Sequence, residues 1–205
     1  GESALSIGIL PTLRDEDLSL DNMSSFNRYR AMNEQMMRLR HGRPIRLEIT
    51  GTEHLTSTHT DLMLEAGATS FQIHLQVPAP LAARYWNAAT IASSITVALA
   101  ANSPLLFGKL LWEETRIPLF EQAVEESCPE KRVSFGYGYV QSLEEIFANN
   151  HAHYPVILPL TLDAPEEKLP HLRLHNGTIW RWNRPLIGFD DDGTPHLRIE
   201  HRPMA

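Results

Sequence analysis

Phe71, Ile73, Leu75 and Val77 alternate with Gln72, His74 and Gln76. Successive side chains of a strand point to opposite faces, so residues 69–77 are predicted as a strand with one apolar and one polar face. The segment 196–202 repeats the pattern: Leu197 and Ile199 face one way, and His196, Arg198, Glu200 and Arg202 the other. Ile45, Leu47 and Ile49 predict a third strand over 44–50, closed by Thr50-Gly51. Helical spacing of Phe26, Tyr29, Met32, Met36 and Leu39 predicts a helix over 24–41, with Ser24 or Ser25 as cap and Gly42 as stop. Leu81 to Ala101 reads as a long helix whose Ala, Ser and Thr residues let another element approach closely. A further helix is predicted over 118–127 with Pro118 in its first turn, and Ser142-Leu-Glu-Glu145 is a capping box. Leu5–Leu10 reads as a short strand, followed by an acidic loop through Asp21. The tail holds strand-like stretches at Leu172–Leu174, Pro185–Phe189 and His196–Arg202, the last two joined by the turn Asp190–Gly193. Helices interleaved with hairpins predict an α+β fold with an antiparallel sheet, in a single domain over 1–205.

Composition narrows the function. The chain has 205 residues, 42% apolar and 21% charged, which is ordinary globular composition. Its formal charge of −7 argues against a nucleic-acid partner held through phosphates. The most apolar stretch, 91–107, is broken by Ser93, Ser94, Thr96, Asn102, Ser103 and Pro104, so no membrane span is expected. The single cysteine, Cys128, excludes an intrachain disulfide and a four-thiolate zinc site. A reducing, cytoplasmic setting is the expectation. Acidic neighbours should raise the Cys128 pKa, which argues against a nucleophilic thiol. The strand pattern runs to Arg202 and the chain ends three residues later, as expected of a piece of a longer protein.

Four groups carry candidate chemistry. The two polar strand faces either meet water or line a concave site, where carboxylate, imidazole, amide and guanidinium together hold a metal-bound anion. Trp180-Arg181-Trp182 with Arg184 is either Arg–Trp packing or part of a site. Asn102-Ser-Pro104, Gly108 and Glu113–Arg116 form either a helix stop with a solvated charge cluster or a binding segment. Gly136-Tyr-Gly138 is only a partial glycine motif, and His151-Ala-His153 has no third ligand nearby. Phosphate-loop, nucleophile-elbow and zinc-protease motifs are absent from the sequence. From the residues alone, His74, His196 and Glu200 also suit a metal-dependent hydrolase.

Ala101-Asn-Ser-Pro104, Gly108, Trp112, Arg116, Thr178-Ile-Trp180, Arg184 and Ile199-Glu200-His-Arg202 occur in this order. In order and spacing, the chain from about Gly8 onward resembles the glutamate–cysteine ligases of the plant and bacterial carboxylate–amine ligase type. The resemblance implies a glutamine-synthetase-like catalytic fold, a curved antiparallel sheet forming a funnel with helices outside. It implies ATP and Mg²⁺ as cofactors, and glutamate and an amino-acid amine such as cysteine as substrates, joined through an acyl phosphate as in glutathione biosynthesis. By motif position, Glu200 matches a metal-binding glutamate, and Gln72, assisted by His74, a metal-facing strand position. Arg202 matches the arginine that approaches the transferred phosphate, and Arg184 a second catalytic arginine. Arg116 matches the arginine that holds a substrate carboxylate, with Asn102, Thr178 and Trp180 in substrate-binding segments. The family's early G-x-E-x-E strand has no counterpart before Ile7. The chain is therefore expected to be a C-terminal piece without part of the metal and nucleotide site, inert alone. A non-catalytic ligand-binding domain on the same fold is the alternative.

Overall fold

The computed structural model describes residues 3, 5–125 and 131–204. Elements follow in the order α1 (Asn27–Leu39), β1 (Ile45–Thr50), β2 (His54–His59), α2 (Met63–Ala66), β3 (Ile73–Val77), α3 (Ala82–Ala100), β4 (Leu105–Leu106), β5 (Lys109–Leu110), α4 (Arg116–Ala123), α5 (Leu143–His153), α6 (Pro170–Gly177), β6 (Asn183–Phe189) and β7 (Pro195–His201). The fold is α+β, as the alternating patterns predict. Among the described residues the strands form three antiparallel sheets, β1–β2, β4–β5 and β3–β7–β6. The chain divides into two compact units, one of Gly1–Phe71, Thr96–Ser127 and Pro203–Ala205, the other of Gln72–Ile95 and Cys128–Arg202. No helix among the described residues is long and apolar enough to cross a membrane.

In the first unit, β1 buries Ile45, Leu47 and Ile49 and exposes Arg46, Glu48 and Thr50. Helix α4 packs on β1 with Leu119, Phe120 and Ala123 buried. Gln122 at its end ties the strand directly: its Oε1 accepts from the Glu48 amide at 2.8 Å, and its Nε2 donates to the Glu48 carbonyl at 3.1 Å. The turn after β1 needs Gly51, because a Cβ there would overlap the Leu111 backbone. Phe107 and Gly108, both at positive φ, form the two-residue turn between β4 and β5, the backbone shape that suits a tight hairpin.

In the second unit, β7 is the central strand, paired to β3 and β6. Val77 and Ile199 pack with Ala82 and Trp86 of α3 and with Leu143 and Ile146 of α5. The predicted capping box opens α5: Ser142 Oγ accepts from the Glu144 amide, and Glu145 Oε1 accepts from the Ser142 amide. The close approach expected of α3 occurs at Ser93, which is buried and accepts a hydrogen bond from Asn183 Nδ2 of β6 at 3.1 Å.

Four sequence expectations are corrected. Residues 5–10 form no strand; the Gly8 amide donates to Asn102 Oδ1 at 2.8 Å, and the Gly8 carbonyl accepts from the Thr69 amide, so this backbone is satisfied outside a ladder. Thr69 is thereby held in a loop, and the third-sheet strand begins only at Ile73. Leu172–Leu174 lies inside α6, where Pro170 in the first turn sets a helical φ and overrides a three-residue alternation. The helix predicted over 118–127 begins at Arg116 and ends at Ala123; of the two readings of Glu113–Arg116, the solvated one fails at Glu114, Thr115 and Arg116, which are buried. Cys128 lies outside the described residues.

Candidate functional site

Glu200 is the middle of a row on one face of the β3–β7–β6 sheet. The antiparallel register places His74 opposite it on one side and Arg184 opposite it on the other. Directly opposed residues share a face, so three polar side chains converge because three strands present them in step. Arg184 Nε donates to Glu200 Oε2 at 2.7 Å, and His74 Nε2 lies 3.3 Å from Oε1. Arg202, two residues on and on the same face, places its Nε 3.9 Å from Oε2. The Glu200 side chain is 4% exposed, Arg202 10%, Arg184 14% and His74 37%, so the cluster is open mainly along the His74 side. Arg184 is held a second time, its Nη1 donating to the Gly177 carbonyl at 3.0 Å. Between Glu200 and Arg202, His201 turns to the opposite face, where Nδ1 meets Asn183 Oδ1 at 2.7 Å. Burial there holds its pKa below the ordinary imidazole value.

The other sequence-predicted residues sit elsewhere. Gln72 is exposed and precedes the paired part of β3. His196 shares the Glu200 face, but its Nδ1 lies 3.1 Å from Asp190 Oδ1 across the hairpin turn. Thr178 is buried at the end of α6, its hydroxyl donating to the His175 carbonyl and its carbonyl accepting from Arg132. Trp180 is buried beside it in sequence. Asn102 and Arg116 belong to the first unit. Asn102 bonds Gly8, Ser6 and Glu114. Arg116 is 2% exposed, donates through Nε to Glu114 Oε1 at 3.0 Å and through Nη2 to the Pro203 carbonyl at 2.7 Å. Burial lowers its pKa, with Glu114 opposing the shift.

The model of glutamate-cysteine ligase family 2 matches residues 1–157. The chain belongs to this family. It is a family of ligases of the glutamate–cysteine ligase type acting on small molecules. The match includes β3, α3, Asn102 and Arg116; Thr178, Trp180, Arg184, Glu200 and Arg202 lie beyond it. Neither the curated proteins nor the solved structures contain a match to the chain.

For a glutamate–cysteine ligase family member, the decisive question is which ion this cluster fits. Mg²⁺ demands several oxygen ligands at octahedral positions. Here there is one carboxylate, with a guanidinium on one oxygen and an imidazole near the other. Among the described residues no group of three or more His, Cys, Asp or Glu side chains is placed to hold a metal. Two guanidiniums around one carboxylate fit a phosphate or carboxylate group, which guanidinium grips through parallel hydrogen bonds. Sequence reasoning missed a separate polar cluster, in which Arg181 donates to Asn150 Oδ1 at 3.0 Å and to Asn149 Oδ1 at 2.6 Å. The only signal for it was the Trp180-Arg181-Trp182 run, whose arginine is buried.

Proposed function

We propose that this chain supplies the guanidinium-lined wall of an ATP-dependent carboxylate–amine ligase, joining the γ-carboxylate of glutamate to the amine of an amino acid such as cysteine. The observation that carries the reading is the row His74–Glu200–Arg184 with Arg202 beside it. In such a reaction a carboxylate oxygen attacks the γ-phosphorus of ATP as the bond to ADP breaks. The amine nitrogen then attacks the acyl phosphate, expels phosphate and loses a proton. Negative charge spreads over the phosphoryl oxygens in the first step, and prepositioned cations stabilise it without reorganising. Arg184 is pinned by Glu200 and Gly177, which fixes its orientation before any ligand arrives. Arg202 is the arginine assigned to the phosphoryl oxygens. Mg²⁺ brought with the nucleotide would supply charge neutralisation; the described residues alone do not form a Mg²⁺ cage. A cytoplasmic setting belongs to the same proposal.

The test is Arg202→Lys in the intact protein, assayed by phosphate release with ATP, glutamate and cysteine. Lysine keeps the charge and loses the planar fork. We expect kcat to fall by roughly 10²-fold with little change in KM for ATP. An unchanged kcat with a lower melting temperature means that Arg202 is a structural partner of Glu200. The engagement of both Glu200 oxygens also favours a second reading, an anion-binding domain without turnover, which predicts no phosphate release from the wild type above the no-enzyme rate.

A further inference from the structure

A cavity of about 200 Å³ opens in the second unit, lined by Trp86 of α3, the loop Gly136–Val140, Glu145, Ile146 and Asn149 of α5, and Arg181. It shares no residue with the His74–Glu200 row. We propose that it binds a small, singly charged organic carboxylate with a flat apolar body.

The wall is built rather than incidental. Asn87 clips one end of the loop to α3: its Nδ2 donates to the Val140 carbonyl at 2.9 Å and its Oδ1 accepts from the Val140 amide at 2.9 Å. At the other end the Gly136 amide donates to Ser134 Oγ, and the Trp182 amide donates to the Ser134 carbonyl. Gly136 sits directly against the Arg181 guanidinium: a Cβ there would stand 2.8 Å from Nη1. Its positive φ also favours glycine. The absence of a side chain therefore leaves a cationic group in the cavity wall.

The lining selects the ligand class. Arg181 is 2% exposed, and its hydrogen bonds to Asn149, Asn150 and Ser134 fix its plane. Trp86 is 1% exposed, and its indole Nε1 has no hydrogen-bond acceptor among the described residues. A buried donor left in that state is costly, and an acceptor brought by a ligand recovers that cost. Cation and donor together call for an anionic, oxygen-bearing head. Glu145 in the same lining disfavours a doubly charged phosphate. Ile146, Val140 and the rings of Tyr137 and Tyr139 suit a flat apolar body. The volume lies below the roughly 300 Å³ at which drug-sized pockets begin, so the ligand is small.

The probe is benzoate, with benzamide as its neutral isostere, titrated into the 205-residue chain while the assigned Trp86 indole N–H resonance is followed by NMR. We expect benzoate to shift that resonance saturably and benzamide to bind at least about tenfold more weakly, a loss of 1.4 kcal/mol or more. In Asn149→Asp a carboxylate would compete for the Arg181 guanidinium and weaken benzoate by a similar factor. An unmoved indole signal, or benzamide binding as well as benzoate, overturns the proposal. The comparison of the two probes is made on the wild type, so it stands even if the variant does not fold.

Discussion

Replacing Glu200 by glutamine keeps the side chain's shape and removes its charge, leaving the nearly buried Arg184 guanidinium beside a neutral amide. Removing one partner of a buried ion pair is costly because the other charge stays desolvated. The amide oxygen still accepts one hydrogen bond, so Glu200→Gln is expected to lose roughly 2–3 kcal/mol, below the cost of a fully orphaned charge. Urea denaturation read by circular dichroism measures it. His74→Ala should cost far less, within about 0.5 kcal/mol, because that imidazole is more than one-third exposed and its contact is screened. A Glu200→Gln variant as stable as the wild type would mean that Glu200 contributes nothing to holding the three strands in step, and that its conspicuous pairing is incidental.

At the level of elements, how much the sequence reveals depends on the length of each pattern. The alternation over 71–77 and 196–202 is long enough to fix which side chains share a face, but the register that sets His74 opposite Glu200 is supplied by the structure. The three residues Leu172–Leu174 are too few: Leu-Arg-Leu fits a strand or a helix turn, and Pro170 decides for the helix. Arg184 was visible as a residue but not as a partner of Glu200, because cross-strand register depends on the β6–β7 hairpin and not on spacing along the chain. Spacing leaves Glu113–Arg116 open between a solvated cluster and a binding segment, because a charge run carries no trace of a distant carbonyl; Pro203 supplies one to Arg116. Gly51 is legible as a turn residue, but the reason for it is tertiary: Leu111 lies where its Cβ would be. Gly51→Ala should therefore cost about 1–3 kcal/mol, the usual range for overpacking. The Thr52 and Glu53 amides that donate to Leu111 and Leu110 would lose hydrogen-exchange protection with it. An alanine variant with wild-type stability and exchange would show that the two segments separate at no cost.

For the molecule as a whole, local and global charge oppose each other. The sequence carries a formal charge of −7, while the row on the β3–β7–β6 sheet gathers two guanidiniums around one carboxylate. A nucleoside triphosphate approaching this row would meet a repulsive long-range field and an attractive short-range one. The unfavourable part is normally offset by a divalent cation held jointly by phosphate oxygens and protein carboxylates. Among the described residues no group of three acidic, histidine or cysteine side chains is placed to do this, and Glu200 is already engaged by Arg184. We therefore expect the 205-residue chain to bind ATP weakly, with a Kd of about 1 mM or higher, and Mg²⁺ to tighten it little. Calorimetric titration with and without Mg²⁺ reads both quantities. Raising ionic strength has a telling sign in the same experiment. If the guanidinium row dominates at contact, salt weakens ATP binding; if the net negative charge dominates, salt strengthens it. Tight, Mg²⁺-dependent ATP binding would show that oxygen ligands in this chain assemble a metal site only when the nucleotide is present, and would move Glu200 from partner of Arg184 to ligand of the ion.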